Sequence, residues 1–170
     1  MSEPIANSWS DANQRYLMAA AGVVREMLER HIARSQKQHD QNEADRGLEE
    51  SVAHQALTKA AAAMPAPAAL EMLSAMFGLS TFERNLLMLC ASVELDSTFA
   101  GLCAEAQGTA ARPFPTFSLA LAALPEAHWS AMTPAAPLRR WRLIEMGTGS
   151  ALTVSPLRID ERVLHYLAGV

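Results

Sequence analysis

One stretch in the middle of the chain, Ser80 to Gly108, constrains the fold most, because both of its helices carry explicit end signals. Ser80 and Glu83 have the spacing of a capping box, in which each side chain accepts from the other residue's backbone amide. Asp96 favours a second helix start, and Gly108 can adopt the left-handed conformation that ends a helix. Apolar residues recur at helical spacing in both segments: Phe82, Leu86, Leu89, Cys90 and Val93, then Phe99, Leu102, Cys103 and Ala106. The stretch therefore predicts two short amphipathic helices joined by a corner.

The composition indicates a globular protein and disfavours nucleic acid as a partner. Half of the 170 residues are apolar, which suits one domain with a core, and the net charge of −4 is a poor basis for attracting a polyanion. The start, MSEPIANSWSD, lacks the basic and apolar regions of a signal peptide, and no apolar run approaches the roughly 18 residues of a membrane span. We therefore expect a cytoplasmic protein that does not enter a membrane.

The first part of the chain predicts a long amphipathic helix. It runs from Ser8 to about Gln38 and is capped by Ser8 or Asp11. Its apolar stripe consists of Tyr16, Leu17, Ala20, Val24, Met27, Leu28 and Ile32. Such a helix packs on its own domain or pairs with another chain. We expect packing on the domain and keep self-association as an alternative.

Two further segments complete a predicted helical extension over residues 1–64. The polar run at about 35–47 indicates a linker, and the Ala-rich segment from Leu48 to Met64 indicates a helix. Pro67 then opens a new helix that reaches Phe77, and the remaining residues, 67–170, are predicted to form a second domain.

The second domain has the element order of a winged helix. After the helices of Ser80 to Gly108, Thr116 caps an apolar helix that ends before Pro125. Alternating residues over Arg139–Met146 and Ala151–Ser155, with GTGS between them, predict a β-hairpin. Asp160 then caps a last helix. The predicted fold is mainly α: a helical N-terminal extension plus a winged-helix domain whose C-terminal β-hairpin wing spans about 139–155.

The residues offer no catalytic, cofactor-binding or metal-binding constellation. GxxxxGK[ST], GxGxxG and HExxH are all absent from the sequence, and the five histidines are dispersed. Cys90 and Cys103 lack metal-ligand spacing and fit reduced core thiols. We therefore predict that the chain is not itself an enzyme.

The wing carries the only concentration of basic residues. The helix from Thr116 to Leu124 lies where a winged helix reads DNA, yet it offers almost no hydrogen-bond donors. The segment from Ala136 onward contains five arginines and three carboxylates. This excess of positive charge fits either a docking patch for an acidic partner or a solvated strand edge. The candidate partner-binding residues are Arg139, Arg140, Arg142, Arg158, Phe114 and Phe117.

Three segments of the last 90 residues resemble a known family. They are FERNLLMLCASVELDSTFAGLCAEAQG, RPFPTFSLALAALPEAHWSAMTPAAPLRRWRLIE and SPLRIDERVLHYLAG. They resemble the winged-helix region ahead of the AAA+ module in bacterial ATPases, including those encoded with phage-tail-like contractile injection systems. The resemblance implies a regulatory or adaptor domain of a ring-forming, hexameric ATPase, whose motor, ATP and Mg²⁺ would lie beyond Val170. No nucleotide-binding residue carries over to this chain.

The leading functional expectation is therefore protein binding in a bacterial cytoplasm. The domain would recognise a substrate, effector or injection-particle component and pass it to the ATPase ring. A winged-helix transcription regulator that binds DNA through Arg139, Arg140 and Arg142 is one alternative. Self-association through the helix from Ser8 to Gln38 is another.

Overall fold

The computed structural model describes residues 5–37, 51–149 and 151–170, with side chains from Trp9 onward. Its helices are α1 (Ile5–Lys37), α2 (Val52–Ala62), α3 (Ala69–Phe77), α4 (Thr81–Leu95), α5 (Thr98–Ala106), α6 (Phe117–Ala123), α7 (Pro137–Arg140) and α8 (Glu161–Ala168). The strands β1 (Ile144–Met146) and β2 (Leu157–Ile159) form an antiparallel hairpin. Short 3-10 helices cover Trp129–Met132 and Leu152–Val154. The predicted class, mainly helical with a hairpin near the C-terminus, is confirmed.

Most of the predicted helix starts are confirmed by direct side-chain caps. Ser80 and Glu83 form the reciprocal capping box, with Ser80 Oγ accepting from Glu83 N at 3.2 Å. Thr116 and Asp160 accept in the same way from the first turns of α6 and α8. Asp96 accepts from the Thr98 amide at 2.9 Å, so it does serve the start of α5.

The predicted start of α1 is wrong. Ser8 and Asp11 both lie inside the helix, which already includes Ile5. A serine or aspartate marks a helix start only where the preceding backbone leaves the helix, and here the Ile5–Lys37 helix runs through both positions. The linker predicted at about 35–47 lies outside the described residues from 38 onward, as does Leu48.

The long helix α1 packs on its own chain, as expected. It contacts α2, α4, α5, α6 and α8, and most of its stripe is buried in the core that the later helices share. Leu28 and Val24 are fully buried at its centre, next to residues such as Phe82. The division into an extension over 1–64 and a domain over 67–170 stays a prediction. What the structure shows is one hydrophobic core that draws on both ranges.

A buried amide fastens α1 to both ends of the later fold. Asn13, only 1% exposed, donates from Nδ2 to the carbonyl of Leu167 at 2.9 Å, near the end of α8. Its Oδ1 accepts from Ala69 N at 2.9 Å, at the start of α3. The residue at the N-cap position of α3 is Ala68, which has no capping side chain. Asn13 therefore supplies, from another helix, the acceptor that Ala68 lacks.

A phenol and an ion pair make a second attachment. Tyr16 on α1 donates to Glu71 Oε1 at 2.6 Å, and Arg84 on α4 donates from Nε to the same oxygen at 3.0 Å. Burial and the nearby carboxylate raise the pKa of Tyr16 to about 12. Burial alone would raise the pKa of Glu71, but the hydrogen bonds from Arg84 and Tyr16 outweigh it and leave that pKa below 4.5. The carboxylate thus stays charged and joins α1, α3 and α4.

Acid should loosen this attachment. Since the folded-state pKa of Glu71 lies below 4.5, its contribution to stability is complete above about pH 4.5 and is lost as the pH falls through the lower folded value. We expect Glu71→Gln to lower the melting temperature by about 2–4 °C at pH 7, and the difference from the unmodified chain to shrink below pH 4.5. Melting curves from pH 3 to pH 7 measure it, with Glu105→Gln, at an exposed site, as control. A constant difference at all pH values would contradict the assignment.

The wing differs from its prediction in position. The first strand begins at Ile144 rather than Arg139, because Pro137 at the first helical position starts the turn of α7. Ala151–Ser155 is not a strand, since it contains a 3-10 helix, and the second strand is Leu157–Ile159. Burial decides this register: β1 and β2 pair two buried isoleucines directly, Ile144 with Ile159.

Candidate functional site

Helix α6, the candidate recognition helix, turns most of its side chains into the core. Its buried residues are Phe117, Leu119, Ala120 and Ala123. The outward positions are Ser118 and Ala122, with Leu121 half-buried. A surface with one hydroxyl and no amide or guanidinium has little with which to read base edges.

Two of the five arginines after Ala136 are hydrogen-bonded to protein groups, and a third lies near a carboxylate. Arg139 donates from Nη1 to the carbonyl of Met132 at 2.6 Å. Arg162 lies against its neighbour Asp160, with Nε and Nη2 each 3.2 Å from a carboxylate oxygen. Arg158 lies 3.9 Å from Glu94, and on the strand ladder it stands opposite Glu145.

The other two arginines, Arg140 and Arg142, are the sequence neighbours of Trp141, whose indole is exposed. The Arg140 guanidinium carbon lies 5.2 Å from the ring centroid of Trp141, and the Trp141 ring lies 5.8 Å from that of Phe77 at 46°. Trp141 is 53% exposed. Within residues 9–37, 51–149 and 151–170, neither Arg140 nor Arg142 has a carboxylate partner. We call Phe77, Arg140, Trp141 and Arg142 the Trp141 patch.

Arg142 holds a backbone conformation that favours glycine. Its φ is +51°, and α7 ends there with two bonds, Leu143 N to Leu138 O at 2.9 Å and Arg142 N to Arg139 O at 3.1 Å. This pair of bonds is the Schellman motif. The same pair ends α3, α5 and α8, where the left-handed residues are Gly78, Gly108 and Gly169. At the end of α7 an arginine takes the place that glycine takes in the other three.

The two candidate phenylalanines differ in accessibility: Phe117 is buried and Phe114 is half-buried. Phe117 is fully buried in the core, so its ring is not accessible to a partner. Phe114 is half-buried in the loop before α6, where its carbonyl accepts from Gln107 Nε2 at 2.9 Å. Gln107 also bonds Arg112 O and Thr116, and it thereby holds this proline-flanked loop in shape.

The remaining reactive side chains have structural surroundings. Cys90 and Cys103 are free, buried thiols, and burial raises the pKa of Cys103 to about 12 and that of Cys90 further still. The ring of His128 is hydrogen-bonded to Ser80 Oγ at 2.9 Å and to Ser130 Oγ at 2.7 Å, at the start of α4. Among the described residues, no cluster of three histidine, cysteine or carboxylate side chains is placed to hold a metal ion.

Comparison with known protein families gives a match that agrees with this mainly helical fold and its hairpin. The family model described as winged helix domain, variant, matches residues 10–170, which is nearly the whole chain. The chain belongs to this family. The comparisons with curated proteins and with solved structures gave no match.

The winged helix match includes most of α1. Helices α4, α5 and α6, followed by the β1–β2 wing, supply the element order that predicted this domain, and α1 fills one side of its core. Winged helix domains are generally non-catalytic. In the part of the chain that the structure describes, no helix has the length and apolarity needed to cross a bilayer.

The left-handed arginine gives a paired stability prediction for this winged helix. Arg142→Gly should raise the free energy of unfolding by about 0.5–1 kcal/mol, because an L side chain is disfavoured in this conformation by more than the added glycine entropy. Gly78→Ala should lower the free energy of unfolding by about 1 kcal/mol, because it puts an L side chain into the left-handed conformation. A steric clash would not contribute, since no neighbouring atom lies within 4 Å of the added Cβ. Urea unfolding of both variants measures the pair. Equal signs for the two changes would contradict it.

The Trp141 patch was only partly predictable. Arg140 and Arg142 are among the candidates from the sequence, but the strand predicted over Arg139–Met146 would put Trp141 on the same side as Leu143, whereas Leu143 is buried and Trp141 is exposed. The signal that could have found it is Pro137, which favours a helical turn over the residues that follow. Phe77, more than 60 positions away in the sequence, carries no local sign of its contact with Trp141.

Proposed function

We propose that this winged helix domain binds protein rather than DNA, as a non-catalytic adaptor or regulatory domain of a AAA+ ATPase. The observation that carries the proposal is that Arg139 and Arg162 are hydrogen-bonded to groups of the chain itself, while Arg158 lies 3.9 Å from Glu94. The two arginines that remain in the segment from Ala136 onward are a small basis for attachment to a duplex, because contacts to phosphates supply most of the non-specific affinity. The nearly donor-free surface of α6 supports the same conclusion.

The link to an ATPase rests on the resemblance in the last 90 residues. The ELD corner lies at the α4–α5 junction, the LRRWRL run covers α7 and the turn before β1, and PLRIDERVLHYL covers β2 and α8. Each run combines buried leucines or half-buried positions with exposed charges such as Glu94, Arg140 and Arg158, and these charges are accessible to other parts of an assembly. In this proposal a bacterial injection-system component, effector or substrate is the partner, and a hexameric motor next to the domain binds ATP and Mg²⁺.

The proposal is tested on the product of the whole reading frame that encodes this chain. We expect a GxxxxGK[ST] motif past Val170, and we expect system components to cross-link to residues 10–170 in the intact protein. Deleting residues 10–170 should abolish that cross-linking and leave basal ATP hydrolysis in place. A reading frame without the motif would remove the ATPase part. A partner captured equally well by the motor alone would overturn the adaptor role.

The two alternatives have less support. DNA binding through Arg139, Arg140 and Arg142 loses one of its three side chains to the Met132 carbonyl. A fluorescent 20-base-pair duplex at low salt is a direct test, and affinity that falls steeply with salt would favour this alternative. Self-association through α1 was predicted from an apolar stripe that the chain now covers with its own helices.

A further inference from the structure

We infer that the Trp141 patch is a docking site for a short acidic protein segment that carries one aromatic or large aliphatic side chain between its carboxylates. This inference rests on the proposed protein-binding function and names the site and the chemistry of the partner. The occupant follows from the two kinds of surface that meet in the patch: an exposed indole and two positive charges without a carboxylate of their own.

The indole is held in place before any partner arrives. Phe77 at the end of α3 contacts one part of the Trp141 ring, and the Arg140 guanidinium lies over it at cation–π distance. A ring with few free rotamers loses little entropy on binding, which is why fixed tryptophans are frequent anchors in interfaces. Trp141 thus offers a rigid apolar contact of the size that one side chain can cover.

The arginines supply the complementary charge. Arg142 follows Trp141 directly, and its backbone adopts a left-handed conformation in which glycine would be more stable. A strained residue of this kind points to a role outside folding. With the Arg140 guanidinium over the indole and Arg142 exposed at the next position in the chain, carboxylates on both sides of a partner's apolar residue would meet guanidinium groups.

The surroundings of the patch favour a peptide over a nucleic acid. Two other arginines of this segment have a carboxylate close by: Arg162 is hydrogen-bonded to Asp160, and Arg158 lies 3.9 Å from Glu94. Glu145 and Glu161, which are also exposed, add negative charge to the segment from Ala136 onward and disfavour a phosphate backbone there. A short acidic segment can bond to two arginines and end before it reaches those carboxylates.

The test is a selection of random 12-residue peptides displayed on phage against the intact 170-residue chain. We expect enriched sequences with aspartate or glutamate on both sides of an aromatic, leucine or methionine residue. A synthetic, fluorescein-labelled copy of the enriched sequence then gives the dissociation constant by anisotropy. Arg140→Glu combined with Arg142→Glu should weaken binding at least 10-fold, and Trp141→Ala should weaken it by a similar factor.

The matched control makes the same charge change elsewhere. Arg15→Glu combined with Arg34→Glu alters two exposed arginines of α1 and should leave the dissociation constant within about 2-fold. Arg140 and Arg142 are likewise exposed, so their variant tests binding even if Trp141→Ala unfolds. Circular dichroism of each variant verifies folding.

Several outcomes would overturn the inference. They are no enriched peptides, enriched peptides without acidic residues, and equal loss of binding in the control variant. Tighter binding of a labelled 20-base-pair duplex than of the peptide, with the same sensitivity to Arg140 and Arg142, would replace the peptide by nucleic acid. If system components cross-link to residues 10–170 but away from the patch, the proposed function stands and this site falls.

Discussion

Replacing Phe117 with alanine should lower the free energy of unfolding by about 3–5 kcal/mol, the usual range when a fully buried phenylalanine is truncated. Phe117 is 0% exposed at the start of α6, where it fills the core behind the helix that Thr116 caps. Equilibrium unfolding in urea, followed by circular dichroism, measures the loss. The same change removes a side chain that the sequence offered as a partner contact, so the result separates packing from binding.

The control for Phe117 is the other phenylalanine of the same loop and helix. Phe114 is half-buried, so Phe114→Ala should lose only about 1 kcal/mol. Phe117→Leu, which keeps most of the apolar volume, should lose less than Phe117→Ala and guards against complete unfolding of the alanine variant. If Phe114→Ala proved the more damaging change, the core assignment of α6 would be wrong.

Asn13→Ala should lower the free energy of unfolding by about 2–4 kcal/mol, because it leaves two buried backbone groups without a partner. These groups are the Ala69 N–H at the start of α3 and the Leu167 carbonyl near the end of α8. Urea unfolding measures the total. Amide hydrogen exchange at Ala69 gives a local measurement, since its protection should fall more than that of amides at the centre of α4.

The neighbouring Gln14 provides the control for Asn13. It carries the same functional group one position along α1 but is exposed, so Gln14→Ala should change stability by no more than about 0.5 kcal/mol. A similar loss in both variants would mean that the helix propensity of α1, and not the bridge to α3 and α8, accounts for the effect.

The predictable parts of the fold are those whose signals lie within a few residues. Three of the helix caps use hydrogen bonds that span only two or three positions, and the sequence predicts all three. They are Ser80 with Glu83, Thr116, and Asp160. The second strand was missed for a physical reason: Leu157–Ile159 is only three residues long, and the alternation in ALTVS resembles a strand more closely. The register of β1 against β2 depends on which residues are buried on the two strands together. A pattern within one strand does not contain that information.

The candidate site shows the same division. The sequence named the arginines, but whether each is free depends on partners that the fold brings to it. Arg162 is paired with Asp160 two positions away, which is a local feature. Arg158 on β2 lies 3.9 Å from Glu94 on α4, a contact between residues far apart in the sequence. Arg139 bonds a backbone carbonyl, which no side-chain pattern marks. Only the folded structure therefore distinguishes Arg140 and Arg142, which lack such partners within the described residues, from the other three arginines.

The bond between Asn13 and Leu167 has a consequence for how the domain is made. It joins residues 154 positions apart, one near the start of the chain and the other in its last described helix. During synthesis the apolar stripe of α1 leaves the ribosome long before α4, α6 and α8 exist to cover it, and contacts of such high sequence separation slow folding. The contacts between α1 and α8 can therefore form only after Leu167 has been synthesised. Until then the apolar stripe of α1 lacks the helices that cover it in the folded domain.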